Sequence, residues 1–135
     1  MDNIRFANKE HEAFYFEMLA ATRNNDVFHK AFFYTMGISA ETRSHIRALF
    51  DFKEGIIKPE GLSAAWQTGS TRRMCRLAFN LWNGWTEERN ENRSTPYWLF
   101  DCGFAPYFFE AIRLRYPEYC RSMERPAPYF SRSER

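Results

Sequence analysis

The sequence is poor in the residues that most often build metal sites and disulfide frameworks. It has only three cysteines and three histidines among 135 residues. An odd number of cysteines without C-x-x-C spacing argues against a disulfide framework or a zinc site, and indicates reduced thiols. His11-Glu12 begins the zinc-protease motif H-E-x-x-H, but Tyr15 stands where the second histidine is required. Neither a metal nor a cofactor is therefore predicted.

The sequence also lacks a long apolar run and a secretory signal. No stretch approaches the roughly 18 consecutive apolar residues that indicate a membrane-spanning helix. The N-terminal segment MDNIRFANKEHE is charged throughout and has no apolar core of a signal peptide. From these two absences we expect a cytoplasmic protein that does not use a membrane as its partner.

A large excess of charge of either sign is missing as well. The formal net charge is +2 at pH 7. Binding to nucleic acid depends on concentrated basic charge that neutralises phosphates, so a nucleic acid is a less favoured partner than a protein. There is also no glycine-rich phosphate loop and no pair of carboxylates spaced for acid–base catalysis. The composition favours a binding protein over an enzyme.

Aromatic residues, in contrast, are abundant. The chain contains 14 Phe, 7 Tyr and 4 Trp. Each ring can bury roughly 150–250 Å², and a small domain has little interior to receive so many rings. We therefore expect some rings at the surface, where clustered apolar area usually marks an interaction site. The densest cluster comprises Tyr97, Trp98, Phe100, Phe104, Tyr107, Phe108 and Phe109.

Helical spacing and capping residues predict a single all-α domain over residues 1–123. A Pro- and Arg-rich tail, residues 124–135, is expected to be loosely ordered. Asn8 and Asp26 are predicted N-caps, and Gly37 is predicted to end the second helix in the left-handed conformation. No strand is predicted, and residues 85–94 are expected to form a solvated loop. The six predicted helices cover about 8–23, 27–36, 39–52, 71–84, 95–102 and 105–116.

The fourth predicted helix is the most clearly amphipathic segment and supplies the candidate binding surface. Its apolar stripe recurs at helical spacing, and the opposite side carries only arginine and asparagine among its polar residues. Arginine and asparagine form directional hydrogen bonds, and Trp and Arg are enriched in binding hot spots. We predict that this face, with Arg76 directed to solvent, binds a protein. The candidate residues are Arg72, Arg73, Arg76, Asn80 and Asn83, flanked by Trp66 and Trp85.

A second hypothesis assigns DNA binding to residues 27–51, which resemble a helix-turn-helix. Gly37 would form the turn and Ser39 would cap a recognition helix. The side chains of Thr42, Arg43 and Arg47 would then face the major groove. Phe33 and Arg43 depart from that pattern, so a structural corner between two helices is the other interpretation.

A third hypothesis is a cysteine-dependent enzyme. The guanidinium groups of Arg72 and Arg76 would favour the thiolate form of Cys75. The other interpretation is that Cys75 is buried at the border of an apolar helix face, because free cysteine is a commonly buried residue type.

Four blocks of the sequence resemble a family of small, functionally uncharacterised bacterial proteins carried on mobile genetic elements such as conjugative transposons. The resemblance implies no activity, cofactor or catalytic residue. It implies a context in which a small binding protein inhibits or modulates a host-defence nuclease, as anti-CRISPR proteins do. Self-association into a homodimer is also compatible with surplus aromatic surface. The blocks are AFFYTMGISAETRSHIRALFDF, IIKPEGL, WQTGSTRRMCRLAFNLWNG and STPYWLFDCGFAPYFFEAIRLRYPEYCR.

Overall fold

A computed structural model describes residues 3–121, and this part of the chain forms one helical domain. The predicted all-α class is confirmed, whereas the predicted tail, residues 124–135, lies outside the described residues. None of the described helices is both long enough and apolar enough to cross a membrane. The helices are α1 (Lys9–Thr22), α2 (Val27–Met36), α3 (Ala40–Ser44), α4 (Ile46–Leu49), α5 (Gly69–Asn83), α6 (Pro96–Leu99), α7 (Ala105–Arg115) and α8 (Pro117–Arg121). Two short strands, β1 (Phe50–Asp51) and β2 (Ile56–Ile57), and two 3-10 helices, Pro59–Ser63 and Glu91–Ser94, complete the fold.

Helix α2 lies at the centre of the domain. It packs against α1, α5 and α7, and every residue from Ala31 to Met36 is buried. Its second half, AFFYTM, has no charged residue on any side. A helix that is apolar all round is stable only when other elements cover all of its faces, which explains its central position.

Aromatic rings fill the core around α2. The ring of Phe50 lies 5.3 Å from that of Phe32 and 5.2 Å from that of Phe33, measured between centroids. Phe79 of α5 stacks on Phe32 at 6.3 Å. Aromatic pairs at these separations contribute about 0.5–1.5 kcal/mol beyond the area that they bury.

The first two predicted N-caps are confirmed. The Asn8 side chain accepts a hydrogen bond from the backbone N–H of His11 at 2.8 Å, and Asp26 does the same for His29 at 2.9 Å. Gly84 ends α5 in the left-handed conformation with φ 81°. The two side chains accept from N–H groups that a helix start leaves unpaired, and the N–H of Gly84 donates to the carbonyl oxygen of Asn80 at the helix end.

Gly37 ends α2 as predicted, but the predicted left-handed conformation was wrong, since its φ is −84°. Close packing explains the glycine instead. A methyl group at this position would lie 2.7 Å from Cδ2 of His11 and 3.2 Å from the carbonyl oxygen of Phe33. Glycine is needed here because α1 approaches the end of α2.

The predicted third helix, residues 39–52, is broken. The chain leaves the helical conformation at His45, which separates α3 from α4, and then forms an antiparallel hairpin in which Phe50 pairs with Ile57. The Asp51 side chain accepts hydrogen bonds from the backbone N–H groups of Lys53 and Glu54. Such side-chain turns compete with the helix, and Gly55 completes this one at φ 70°. The prediction that the chain forms no strand was therefore wrong.

Helix α5 begins earlier than predicted. Thr68 is its N-cap and forms a reciprocal capping box with Thr71, whereas the predicted helix covers residues 71–84. Thr71 is buried and donates a hydrogen bond to Oε1 of Gln67 at 2.6 Å. The helix therefore starts two residues before its predicted position, at Gly69.

Residues 85–94, predicted as a solvated loop, lie across α5 instead. Asn80 of α5 donates a hydrogen bond to the carbonyl oxygen of Trp85 at 3.2 Å. The second 3-10 helix, Glu91–Ser94, also contacts α5 and leads directly into α6. This segment therefore covers part of the polar face of α5 and forms one wall of the candidate site.

Candidate functional site

Much of the polar face of α5 has partners within the fold. Nε of Arg72 donates a hydrogen bond to the carbonyl oxygen of Leu62 at 3.2 Å. The Asn83 side chain accepts a hydrogen bond from the backbone N–H of Trp85 at 3.1 Å, and Asn80 bonds the carbonyl of the same residue. These three predicted site residues hold neighbouring segments against α5.

The prediction that Arg76 faces solvent was wrong. Its side chain is only 11% exposed, and it forms an ion pair with Glu87 of the covering segment. Nε and Nη2 of Arg76 lie 3.1 and 2.9 Å from Oε1 of Glu87. The arginine is shielded because residues 85–94 fold back over α5.

The two tryptophans that flank α5 in the sequence are half-buried and pack on other rings. Trp66 stacks on His45 at 4.1 Å between centroids with an interplanar angle of 9°. Trp85 contacts Phe79 edge-on at 5.3 Å. Neither tryptophan lines the cleft at the N-terminal end of α5.

A cleft of about 190 Å³ lies at the N-terminal end of α5. Nε of Arg73 donates a hydrogen bond to the carbonyl oxygen of Trp98 at 2.9 Å, which fixes the arginine against α6. The guanidinium carbon of Arg93 lies 5.8 Å from the centre of the Trp98 ring. We call this the arginine cleft; it is lined by Gly69, Arg73, Arg76, Arg93 and Trp98.

Positive charge predominates in the arginine cleft. Three guanidinium groups line it, and Glu87 is the single carboxylate within residues 3–121 that forms an ion pair with any of them. Two positive charges, those of Arg73 and Arg93, are therefore left without an ionic partner in the described chain. A cleft with low-dielectric walls concentrates such a field.

Exposed aromatic side chains lie beside the arginine cleft. Tyr97 is 82% exposed and Trp98 is 42% exposed, and their rings meet at right angles with centroids 6.1 Å apart. The expectation that rings reach the surface is confirmed. The other exposed aromatic residues in the described chain are Phe16, Phe28, Phe109, Tyr116 and Tyr119.

Sequence reasoning missed three contributors to this site. Glu87 and Arg93 fall in the segment that was expected to be solvated, and Trp98 was assigned only to the aromatic cluster. One signal was available: the acidic residues of the polar segment EERNENR follow shortly after the arginine-rich helix. Opposite charges so close along the chain favour a pairing between segment and helix.

The helix-turn-helix resemblance predicts a geometry that differs from the observed one. Thr42 is fully buried and donates hydrogen bonds to the carbonyl oxygens of Met36 and Ser39. Thr42 is therefore turned away from any groove in this fold. Nη1 of Arg43 donates a hydrogen bond to the carbonyl oxygen of Gly37 at 2.7 Å. Arg47 is exposed, with its guanidinium carbon 5.4 Å from the centre of the Phe52 ring.

Cys75 is fully buried on the inner side of α5. Burial raises the pKa of its thiol to about 11, while a hydrogen bond from Gln67 and the charges of Arg76 and Arg72 act in the opposite direction. The two arginines have the predicted effect on the thiol pKa, but desolvation exceeds it. Within residues 3–121, no group of three or more His, Cys, Asp or Glu side chains is arranged to hold a metal ion.

The sequence model of a family of unknown function, DUF6075, matches residues 1–128. No curated protein and no solved structure matches the chain.

Proposed function

The chain belongs to DUF6075, a family of unknown function, and we propose that it acts by binding another protein. The contact surface is formed by Tyr97 and Trp98 together with Arg73 and Arg93 at the arginine cleft, and we call it the Trp98 surface. One observation carries this proposal: two neighbouring aromatic side chains, 82% and 42% exposed, stand beside positive charges that lack an ionic partner in residues 3–121.

The chemistry of the Trp98 surface supports a protein partner. Trp, Tyr and Arg are the residue types most enriched in interface hot spots, because each combines a large contact area with a directional polar group. Arg73 is already held by the Trp98 carbonyl, so little side-chain freedom remains to be lost on binding. A partner with an acidic patch would complement the two unpaired guanidinium groups.

The resemblance to proteins of mobile genetic elements supports a partner in the defence machinery of the host, such as a nuclease. In this role the protein would inhibit or modulate the nuclease by occupying a functional surface of it. Anti-CRISPR proteins provide the analogy. Cells with an active CRISPR nuclease would then accept a targeted plasmid more readily when they express this protein.

The test is capture of a partner by purified variants. Tyr97→Ser and Arg93→Glu both alter exposed side chains of the Trp98 surface and should leave the fold intact. Ile56→Ser is the matched control because Ile56 is 53% exposed in the hairpin and does not line the arginine cleft. Captured proteins are identified by mass spectrometry, and each is then produced separately for titration.

The expected result is one partner that the unchanged protein and Ile56→Ser bind equally, whereas Tyr97→Ser and Arg93→Glu bind at least tenfold more weakly. A tenfold loss corresponds to about 1.4 kcal/mol, which is typical of a hot-spot residue. Equal binding by all four proteins would contradict the proposed surface. A concentration-dependent homodimer that Tyr97→Ser abolishes would replace the foreign partner with a second copy of this chain.

A further inference from the structure

The arginine cleft has the charge and shape of a receptor for one small anionic group. We infer that it binds the phosphoryl group of a phosphomonoester, and that a nucleoside monophosphate is the form it recognises best. This inference goes beyond protein binding, since it assigns a small-molecule ligand to the cleft itself. It depends on the charge balance, the fixed donors and the adjacent rings.

The charge balance of the cleft matches a doubly charged anion. Three guanidinium groups face one carboxylate, that of Glu87, which leaves two positive charges. A phosphomonoester carries a charge of about −1.5 to −2 at pH 7. A single carboxylate would leave one guanidinium group unmatched, so a phosphoryl group is the better complement.

The hydrogen-bond donors of the cleft are held in place and still available. Arg73 uses Nε for the Trp98 carbonyl oxygen, and its two terminal nitrogens have no partner within residues 3–121. The guanidinium group of Arg93 lies over the Trp98 ring and forms no hydrogen bond or ion pair within residues 3–121. Guanidinium groups present paired donors that suit phosphate oxygens. Gly69, the first residue of α5, adds the positive end of a 15-residue helix to the same field.

The size of the cleft and the neighbouring rings indicate what carries the phosphoryl group. At about 190 Å³ the cleft is smaller than the roughly 300–1,000 Å³ of pockets that enclose a whole ligand. A phosphoryl group enters it while the remainder of the ligand lies outside. There the exposed rings of Trp98 and Tyr97 offer stacking surfaces, and base–aromatic stacking contributes about 1–3 kcal/mol. A planar base joined to a phosphate uses both features.

The test is titration of the full chain by calorimetry at low and moderate salt with three probes: AMP, inorganic phosphate and adenosine. Arg93→Gln removes one charge at an exposed position, where the guanidinium group lies over the Trp98 ring. Arg47→Gln is the matched control because Arg47 is likewise exposed and contacts a ring, but does not line the cleft. N-acetylglutamate serves as the carboxylate probe.

We expect AMP to bind more tightly than phosphate, and adenosine to bind at least tenfold more weakly than AMP. Arg93→Gln should weaken AMP binding about tenfold, since a hydrogen bond between charged groups contributes that much, and Arg47→Gln should not change it. Equal binding of phosphate and AMP would support the cleft with free phosphate as its ligand.

Three results would overturn the inference: no binding of AMP or phosphate, equal weakening by Arg47→Gln, or N-acetylglutamate binding as tightly as AMP. The first two would show that the cleft has no phosphate site of its own, and the third would make it a carboxylate receptor. Capture of a protein through Tyr97 is measured in a separate experiment, so failure of this inference is distinguishable from failure of the proposed function.

Discussion

Arg76 and Glu87 connect the arginine-rich helix to the segment that lies over it. Two nitrogens of the arginine converge on one carboxylate oxygen at 3.1 and 2.9 Å, and both side chains are largely shielded from water. The pair also leaves Arg73 and Arg93 as the cations of the cleft without an ionic partner in residues 3–121. The same contact therefore contributes to stability and to the charge of the site.

Glu87→Ala should lower the free energy of unfolding by about 1–2 kcal/mol, because it leaves a largely buried guanidinium group without its partner. This is less than the cost of breaking a fully buried pair, since Glu87 is 30% exposed. Arg76→Glu should cost more, because two carboxylates then meet. Urea denaturation of both variants measures these changes.

The double variant Arg76→Glu/Glu87→Arg provides the control for this pair. It restores opposite charges, so it should be more stable than Arg76→Glu alone. With Glu87→Arg as the second single variant, the cycle should give a coupling free energy of about 1 kcal/mol. Strictly additive destabilisation would show that the ion pair does not hold the segment.

Local signals predicted the long helices of this fold well. Asn8, Asp26 and Gly84 act at the ends of α1, α2 and α5 because caps depend on residues within one turn of each other. The aromatic surplus also gave the correct expectation of exposed rings. These features follow from short-range hydrogen bonding and from composition.

The cleft and the break at His45 could not be predicted from such signals. Arg73 bonds the carbonyl of Trp98, which lies 25 residues away in the sequence. The segment that begins at Trp85 has the polarity of a solvated loop, and only the folded chain shows that it covers α5. In residues 39–52, a side-chain turn at Asp51 overcame a regular helical pattern. Contacts between distant positions decided the first two cases, and a local side-chain turn decided the third.

The stability of the protein should depend on pH through His11. The His11 ring is fully buried; Nε2 lies 2.7 Å from the carbonyl oxygen of Tyr34, and Nδ1 accepts a hydrogen bond from the backbone N–H of Ala7. Burial lowers the pKa of this imidazole from 6.5 to about 4. Between these two values the unfolded chain binds the proton and the folded chain does not, so stability is lost as the pH falls through that window.

The loss at His11 should reach about 3 kcal/mol between pH 7 and pH 4. Urea denaturation at a series of pH values measures it. His11→Gln cannot titrate in this range, so its stability should change much less over the same interval. An equal slope in both proteins would assign the pH dependence to other groups.

Cys75 should be the least reactive of the three thiols. It is buried and its pKa is raised to about 11, whereas Cys102 and Cys120 are partly exposed. At pH 8 in the folded protein, a maleimide should label Cys75 at least about 100-fold more slowly than in urea, because the thiolate is scarce and enclosed. Peptide mass spectrometry identifies the labelled positions. Rapid labelling of Cys75 in the folded state would contradict this prediction and support the hypothesis of a cysteine-dependent enzyme.

Two glycine substitutions should differ in their effect on the free energy of unfolding. A methyl group at Gly61 would lie 2.5 Å from the carbonyl oxygen of Ala48 and 2.8 Å from a methyl carbon of Leu49. Gly61→Ala should therefore destabilise by about 2 kcal/mol through overpacking. A methyl group at Gly69 meets no atom within 4 Å, so Gly69→Ala should be neutral or stabilise by about 0.5 kcal/mol. Thermal unfolding of the two variants measures the direction of each change in stability.

Site-specific photocrosslinking tests the central claim most directly. A benzoylphenylalanine placed at Tyr97, 82% exposed beside the arginine cleft, and another at Ile56, 53% exposed in the hairpin, sample two surfaces of the same molecule. After irradiation in cells, we expect a discrete protein adduct from position 97 that Arg93→Glu reduces, and none from position 56. Equal adducts from both positions, or none from position 97, would contradict the assignment of the Trp98 surface as the place where a partner binds.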